Sequence, residues 1–341
     1  MKLCLPVADA RGGGMYSFFR NLRAWLTQRG FPFTDRIEDD WDVIVVNSWA
    51  LPFRTVQAAK RARPHARVLH RIDGSAVDYG RDAPSDVRQA LVNTCADVTV
   101  FQSAYGRDAT RRRRVILADG PIVHNPVDVE RFRPDGERDS LPGTLRVAHV
   151  AFSTNDRKGA AGVYQIARRR PDVTFVLGGR YDHAPALPNV VNLGYVDWAK
   201  LPAMLRGCHA LLTLSENETC SNVVIEALAS GLPVLYLASG GTPELVGDGG
   251  ARVTVDTFDE TLRHVFARRE TFTAAARRRA LEHFSFDVIF PRYLEAARLA
   301  VRRPMPGVSS QLRTVFRVRP PVGAVARWAA LRLAPARAGR A

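Results

Sequence analysis

The chain has 341 residues, 46% of them hydrophobic and 24% charged, which is the balance of a soluble globular protein long enough for two domains. No apolar run approaches the roughly 18 residues of a membrane span, and the first segment turns polar too early for a signal peptide. The four cysteines lack the spacing of a zinc site and predict free thiols in a cytoplasmic protein.

The positive charge of the chain is concentrated at its carboxyl end. The net charge is +15, and residues 301–341 contain nine arginines but no Asp, Glu or Lys. Trp328, Leu331 and Leu333 lie among these arginines, a pattern that suits an anionic membrane surface. A plain solvated tail is the alternative, and non-specific binding of nucleic acid is the least favoured of the three. We expect a cytoplasmic protein, held at the inner face of the membrane if the tail binds there.

The first half of the chain alternates strand-like and helix-like segments. Apolar runs predict strands at 2–8, 42–47, 67–72 and 97–102, and a 3.6-residue apolar period predicts a helix over 15–29. Gly12, Gly13 and Gly14 stand between the first strand and this helix. Glycines at such a junction let a ligand approach the backbone and leave helix N–H groups free for an anion, although a simple tight turn is an equal alternative.

The second half repeats the alternation after a boundary rich in Asp, Pro and Gly at 134–143. Strands are predicted at 145–151, 173–177, 190–196, 210–214, 233–237 and 252–255, and helices at 197–207, 222–231, 259–268 and 274–284. Such a succession is typical of parallel sheets covered by helices. We predict an α/β protein of two Rossmann-like domains, residues 1–140 and 141–285, then a helix at 286–300 and the basic tail at 301–341.

Residues 211–245 hold the strongest concentration of candidate binding residues. A buried strand, a polar loop, a helix and a second buried strand follow one another, and ligands of such sheets bind beyond the carboxyl ends of the strands. The loop carries Glu216 and Glu218, and Glu226 lies in the helix, for which Ser221 has the residue type of an N-cap. Acids also favour helix starts without any ligand, so an ordinary α/β crossover is the alternative.

Five features of this segment occur in a fixed order. They are a strand ending in Ser215, Glu218 and Glu226 with seven residues between them, Glu-Ala before a small residue and Gly, a Pro that opens a strand, and Gly-Gly-x-Pro-Glu ending at Glu244. The order resembles the signature of the family-4 (group 1) glycosyltransferases, which are retaining enzymes of the GT-B fold. The resemblance implies a cleft between the two domains, with the nucleotide-sugar donor on the second domain, the acceptor on the first, and helix 286–300 crossing back to the first.

The resemblance also implies roles for individual residues. Glu226 would accept hydrogen bonds from the ribose, Glu218 would contact the transferred sugar, and Lys158 would contact the donor diphosphate beside a helix start. Backbone N–H groups would complete the donor site, with Glu244 facing the same cleft. The expected donor-binding residues are Gly13, Gly14, Lys158, Glu218, Thr219, Ser221, Asn222, Glu226, Gly241 and Glu244.

Neither a metal nor a cofactor is expected. Cations of the protein can neutralise the leaving diphosphate, and the sequence has no credible cluster of metal ligands. The motif Asp40-Trp41-Asp42 is similar to a metal-binding motif of other glycosyltransferases, but it precedes a strand at its amino end, where no site is expected. The nucleotide sugar is thus the co-substrate, and the acceptor, which is a glycan, a lipid-linked molecule or a small molecule, stays open.

The turn after the 67–72 strand departs from the family pattern. The family usually has a His-Gly pair there, whereas this chain has Asp73-Gly74, with His70 three residues before Asp73. Asp73 is expected to bind a sugar hydroxyl or to shield positive charge, and with Glu218 it is the candidate for catalysis. His70 has the pattern of a packed core histidine.

The second departure concerns the diphosphate. The family places an Arg shortly before Lys158, and this chain has Phe152-Ser153 there. Arg157 or Arg180 could supply the second cation. Because both departures affect the donor site, a nucleotide-sugar-binding protein with impaired catalysis is the alternative hypothesis.

Overall fold

The computed structural model describes residues 1–6, 13–113, 115, 118–181 and 184–303. Within these ranges the chain forms one sheet of five strands and one of six, and all strand pairs of these sheets are parallel. The predicted α/β architecture of two Rossmann-like units is confirmed.

The first sheet is built from the amino-terminal part of the chain. Its elements are β1 (Leu3–Cys4), α1 (Gly14–Gln28), β2 (Phe33–Thr34), β3 (Val43–Asn47), α2 (Phe53–Ala62), β4 (Arg67–Ile72), α3 (Ala83–Asn93), β5 (Val98–Phe101) and α4 (Ala104–Arg112). The strand order is β2-β1-β3-β4-β5. Val43 and Val45 pack with α1 on one face, and Ile44 and Val46 pack with α2 on the other. We call this sheet and the helices packed on it the first lobe.

The second sheet and its helices form the second lobe. Its elements are β6 (Arg146–Ala151), α5 (Ala160–Arg169), β7 (Thr174–Gly179), β8 (Val190–Asn192), α6 (Leu201–Gly207), β9 (Ala210–Thr213), α7 (Asn222–Ala229), β10 (Val234–Tyr236), α8 (Thr242–Val246), β11 (Gly250–Arg252), α9 (Phe258–Ala267) and α10 (Arg269–His283). The strand order is β11-β10-β9-β6-β7-β8. Both faces of this sheet are buried under helices, so its strands are almost continuously apolar.

Several predicted element boundaries in the second lobe are wrong. Strand β8 ends at Asn192 and not at 196, because Gly194 turns the chain with a φ of +65°. Helix α6 begins at Leu201 and not at 197, with Pro202 in its first turn. Strand β11 (Gly250–Arg252) shares only Arg252 with the predicted 252–255 strand, because its pairing with β10 already begins at Gly250 opposite Val234. The pattern also missed β2, α2, α3, α4 and α8.

The last described helix, α11 (Phe286–Arg302), returns the chain from the second lobe to the first. Phe290, Tyr293 and Ala297 are buried in the same apolar cluster as α1 and β3. The Tyr293 ring lies 4.8 Å from that of Phe18, between centroids. The carboxyl end of α11 is held by Arg67, whose Nε donates to the carbonyl of Ala300 at 3.0 Å. The helix therefore completes the core of the first lobe.

Two features of the chain bear on membrane contact, its helices and its basic tail. Among the described residues, no helix combines the length and the apolar character needed to cross a membrane. Residues 304–341, which hold most of the predicted basic tail, lie outside the described ranges. The membrane-binding tail stays a prediction.

Replacing Phe290 by Ala should lower the free energy of unfolding by about 3–5 kcal/mol, because it leaves a cavity between α11 and the first lobe. Leu299→Ala is the control on the same helix. Leu299 is exposed, and its truncation should change the free energy by about 0.5 kcal/mol or less. Urea unfolding of both variants measures the difference, and equal losses would contradict the proposed role of α11 in the core.

Candidate active site between the two lobes

A cavity of about 750 Å³ lies between the two lobes, at the carboxyl ends of both sheets. Residues after β1, β3, β4 and β5 line it from one side, and residues after β6, β7, β8 and β9 from the other. The predicted site residues in its lining are Gly13, Gly14, Asp73, Lys158, Glu218, Thr219, Ser221, Asn222 and Glu226. Position and volume are those of a small-molecule site in an open α/β sheet. We call it the interlobe cavity.

Lys158 is one of the cations on the wall of the interlobe cavity. It ends a 3-10 turn, and Gly159 with a φ of +78° then leads into α5. Its Nζ donates to Oε1 of Glu218 at 2.6 Å and lies 5.7 Å from the ring centroid of Tyr79 of the first lobe. Burial alone would lower the pKa of Lys158, but the facing Glu218 carboxylate and Tyr79 raise it. The ammonium group is therefore held charged on the cavity wall.

Glu218 has one oxygen paired and one unpaired. Its Oε2 is buried and has no hydrogen-bond partner among the described residues. A buried acceptor without a donor is costly, so an incoming hydroxyl at this oxygen would be favourable.

The loop that carries Glu218 is held from behind by Gly240 and Gly241. The Gly241 N–H donates to the carbonyl of Glu218 at 2.8 Å. A Cβ on Gly241 would stand 2.1 Å from the carbonyl oxygen of Thr219, so only glycine permits this approach. Gly241 does not line the interlobe cavity, and its N–H is already bonded to the loop. This position differs from the one expected of a residue that binds the sugar donor.

Glu244 joins the two lobes instead of lining the cavity. Its Oε2 accepts from the Ala104 N–H at the start of α4, and its Oε1 bonds His124 Nε2, both at 2.8 Å. Burial alone would raise the pKa of Glu244, but the bonds from His124 and Ala104 lower it. The carboxylate thus ties α8 of the second lobe to the first, which explains an acid here without a ligand.

Asp73 is the polar group at the end of β4, and its side chain is 38% exposed. Its Oδ1 accepts from Arg71 at 2.9 Å and from Gln102 at 2.6 Å, and its Oδ2 accepts from Asn47 at 2.8 Å. Arg71 is almost fully buried and also bonds Asn125. Of the two roles expected for Asp73, the shielding of positive charge is thus seen directly, and contact with a sugar hydroxyl stays a prediction.

Glu226 lies between one and two turns into α7, on the cavity wall. Burial raises the pKa of Glu226 to about 7, and a hydrogen bond from the Trp198 indole only partly opposes this. The guanidinium groups of Arg20 and Arg131 lie over the Trp198 ring at 4.4 and 3.8 Å from its centroid. No sequence signal identified Trp198, because only folding brings the β8–α6 connection against α7.

The amino ends of two helices meet at the cavity. Helix α1 begins at Gly14, where a Cβ would stand 3.0 Å from the side-chain Nδ2 of Asn222, the first residue of α7. Asn222 accepts from Asn125 at 2.7 Å. Ser221 occupies the N-cap position predicted for it, but its side chain makes no capping hydrogen bond. The free N–H groups of α1 and α7 suit an anion.

The two arginines proposed as a second cation differ in position. Arg180 follows β7 and lines the interlobe cavity, whereas Arg157 pairs at 3.0 Å with the exposed Glu216. Near Arg180 in the lining stand Phe152 and Tyr195, which are 45% and 63% exposed, with ring centroids 6.1 Å apart. Arg180 is therefore the better placed of the two.

The described residues were also compared with the requirements of a metal site. In the part of the chain that is described, no three His, Cys, Asp or Glu side chains are grouped so that they could hold a metal ion. No metal ligands are therefore assigned.

Known proteins resemble this chain in sequence and in structure. Residues 160–267 match the family described as "Glycosyl transferases group 1". A GDP-mannose-dependent alpha-mannosyltransferase of Mycobacterium tuberculosis is 28% identical over 289 residues, 77% of this chain and 71% of that protein. A D-inositol 3-phosphate glycosyltransferase of Geodermatophilus obscurus is 36% identical over 314 residues, 79% of this chain and 66% of that protein. The chain spans 48% to 71% of the length of such curated relatives.

Solved structures share the fold at low sequence identity. The Anabaena protein Alr3699/HepE, crystallised with UDP, has a TM-score of 0.67 and 16% identity, covering 86% of this chain and 98% of that one. Sucrose-phosphate synthase from Thermosynechococcus elongatus has a TM-score of 0.63 and 18% identity, covering 81% and 75%.

Two parallel α/β lobes around a cavity give the chain a fold of the GT-B class, which these solved structures share. Within that class the chain belongs to the group 1 (family 4) glycosyltransferases, enzymes that use nucleotide-sugar donors. The resemblance read from residues 211–245 is thereby confirmed.

Glu226→Gln should stabilise the protein increasingly as pH rises. The ordinary pKa of a Glu is 4.5 and that of Glu226 is about 7, so between these values the folded state binds a proton that the unfolded state has lost, and stability falls with pH. Glutamine removes this penalty, and its advantage in unfolding free energy should grow from pH 4.5 to 7 and then level off at no more than about 3 kcal/mol.

Urea unfolding at several pH values measures this difference. Glu216→Gln, which changes an exposed carboxylate, is the control and should stay within about 0.5 kcal/mol of the parent. A pH-independent difference for Glu226→Gln would contradict the desolvation of this carboxyl.

Proposed function

We propose that the chain transfers a sugar from a nucleotide sugar to an acceptor hydroxyl, with retention at the anomeric carbon and without a metal ion. The observation that carries the proposal is the contact of Lys158 with Glu218, 2.6 Å apart on the wall of the interlobe cavity that Glu226 also lines. A cation, a carboxylate with an unpaired oxygen and a second carboxylate suit the three parts of such a donor. Those parts are the diphosphate, the sugar and the ribose.

The diphosphate needs preorganised positive charge, because negative charge grows on it as the sugar leaves. Lys158 and Arg180 supply cations, and the free N–H groups at the starts of α1 and α7 supply donors. On donor binding, Lys158 would turn from Glu218 to a phosphate oxygen. Both oxygens of Glu218 would then be available to hydroxyls of the sugar.

The nucleoside would lie on the second lobe. Glu226 would accept hydrogen bonds from the ribose in place of the one from Trp198. Phe152 and Tyr195 offer exposed aromatic faces on the same lobe, which suit a nucleobase. Because Glu226 is ionised only near and above pH 7, donor affinity should improve through neutral pH.

The acceptor would approach from the first lobe, where Asp73 faces the cavity. On the retaining route proposed here, the bond from the anomeric carbon to the acceptor oxygen forms on the face from which the phosphate leaves. The departing phosphate oxygen takes the acceptor proton. Asp73 would contact the reacting sugar, held in place by Arg71, Gln102 and Asn47.

Two similar proteins indicate which donors to test first. The relatives include a GDP-mannose-dependent enzyme, and Alr3699/HepE was crystallised with UDP-glucose, so these two donors are the first to test. The acceptor is a glycan, a lipid-linked molecule or a small molecule. A cytoplasmic location, with the basic tail at an anionic membrane surface, belongs to the same proposal.

Lys158→Met should reduce the release of nucleoside diphosphate from the productive donor by about 10²–10³-fold, because the leaving group loses its principal cation. Lys200→Met is the matched control, since Lys200 is exposed and outside the cavity lining, and its rate should equal that of the parent. Release is followed with GDP-mannose and with UDP-glucose.

Binding is measured separately by the donor-induced rise in melting temperature. Binding by the parent without release, in the presence of an acceptor panel, would favour the impaired nucleotide-sugar-binding protein. Equal rates for Lys158→Met and the parent would refute the site.

A further inference from the structure

Trp49 is an aromatic side chain of the interlobe cavity to which the proposed donor site gives no role. It follows β3, the central strand of the first sheet, and it lines the cavity from the first lobe. It is only partly buried, and it belongs to none of the apolar clusters that form the cores. Burial in a core therefore does not account for a tryptophan at this position.

The backbone before Trp49 is held in a strained conformation. Ser48 has a φ of +42°, a left-handed value that costs a non-glycine residue on the order of 1–3 kcal/mol. Such a conformation persists only when its surroundings over-determine it. It carries the chain from the end of β3 into the cavity wall at Trp49.

Three hydrogen bonds from β4 and its end hold Ser48 in this conformation. The Ser48 N–H donates to the carbonyl of Arg71 at 2.7 Å, and the Ser48 hydroxyl accepts from the Asp73 N–H at 3.0 Å. His70 Nε2 lies 2.7 Å from the Ser48 carbonyl, which can only accept, so this nitrogen carries the proton. The core histidine predicted at position 70 thus has a definite structural task.

The second nitrogen of His70 agrees with this tautomer. Its Nδ1 accepts from the side-chain amide of Asn93 at 3.0 Å. Burial lowers the pKa of His70 to about 4, so the ring stays neutral at physiological pH. The position of Trp49 is therefore preorganised by buried groups.

The groups around Trp49 indicate what it would contact. Asp73 follows β4, the strand beside β3, and Gln102 follows β5 on the far side of β4; both line the cavity from the first lobe. An aromatic face attracts the weakly positive C–H bonds of a ring, and flanking carboxylate and amide groups suit hydroxyls. A pyranose offers both features at once.

We propose that Trp49 is the platform for the acceptor, and that the acceptor presents a pyranose ring to it. This inference rests on the proposed function, because it is that function which assigns the acceptor to the first lobe. The donor groups Lys158, Glu226 and Arg180 all lie on the second lobe. The Trp49 ring has the guanidinium of Arg88, also of the first lobe, 5.9 Å from its centroid, and none of the donor groups engages it.

Saturation-transfer NMR with methyl α-mannopyranoside and methyl α-glucopyranoside, without nucleotide, tests the platform directly. At least one glycoside should receive saturation, strongest at the protons of one ring face. Trp49→Ala should reduce this signal about three- to tenfold, which is the range expected for loss of an aromatic contact. Trp49→Phe should retain most of it. Tyr105→Ala, which removes a partly buried aromatic ring outside the cavity lining, should leave it unchanged.

Circular dichroism and melting temperature establish that each variant is folded. A glycoside signal that is equal in parent and Trp49→Ala would overturn the inference, as would its absence for both glycosides in the parent, or equal saturation of the acyclic polyol mannitol. Diphosphate release from GDP-mannose or UDP-glucose is measured on the same samples. Diphosphate release without a Trp49-dependent glycoside signal would contradict the role of Trp49 and leave the proposed transferase function intact. A Trp49-dependent glycoside signal without release or donor binding would support the role of Trp49 and contradict the proposed transferase function.

Discussion

The hydrogen bonds of the buried Arg71 guanidinium hold together the first-lobe wall of the interlobe cavity. Its side chain is 1% exposed, and removing a partner from a buried charge costs several kcal/mol. Its partners are Asn47 at the end of β3, Asp73 after β4, Asn125 in the segment that leaves the first lobe, and Tyr293 on α11. Because these residues come from four separate parts of the chain, this one cation links the first-lobe wall of the cavity to helix α11. The orientation of Asp73 follows from it.

In the second lobe, too, the charged groups of the cavity are balanced within the protein. Lys158 is neutralised by Glu218, and the pKa of Glu226 near 7 allows that carboxyl to hold a proton around neutral pH. In the proposed complex, the diphosphate of the donor would take the place of Glu218 beside Lys158, and hydroxyl groups of the donor would bond the two carboxylates. The cavity therefore holds charges that match an anionic, hydroxyl-rich ligand, and desolvation makes each match stronger than it would be in water.

Residues 211–245 were predicted well because their signals are local. Glu218 and Glu226 occupy the expected loop and helix, both on the interlobe cavity. Gly241 and Glu244, only a few residues further on, bond the Glu218 loop and the first lobe instead. A glycine or an acid in a loop looks the same in sequence whether it faces a ligand or a neighbouring loop, so the motif alone did not separate these two cases.

The sequence by itself determined the α/β class, the family and the order of most strands and helices, because apolar periodicity and the positions of Gly and Pro act over a few residues. The tertiary structure alone decided which side chains meet. Tyr79 with Lys158, Trp198 with Glu226 and the strained Ser48 before Trp49 depend on how distant segments pack. The raised pKa of Glu226 is likewise a property of its burial, and burial is set by the whole fold and not by the residue or its neighbours in the chain.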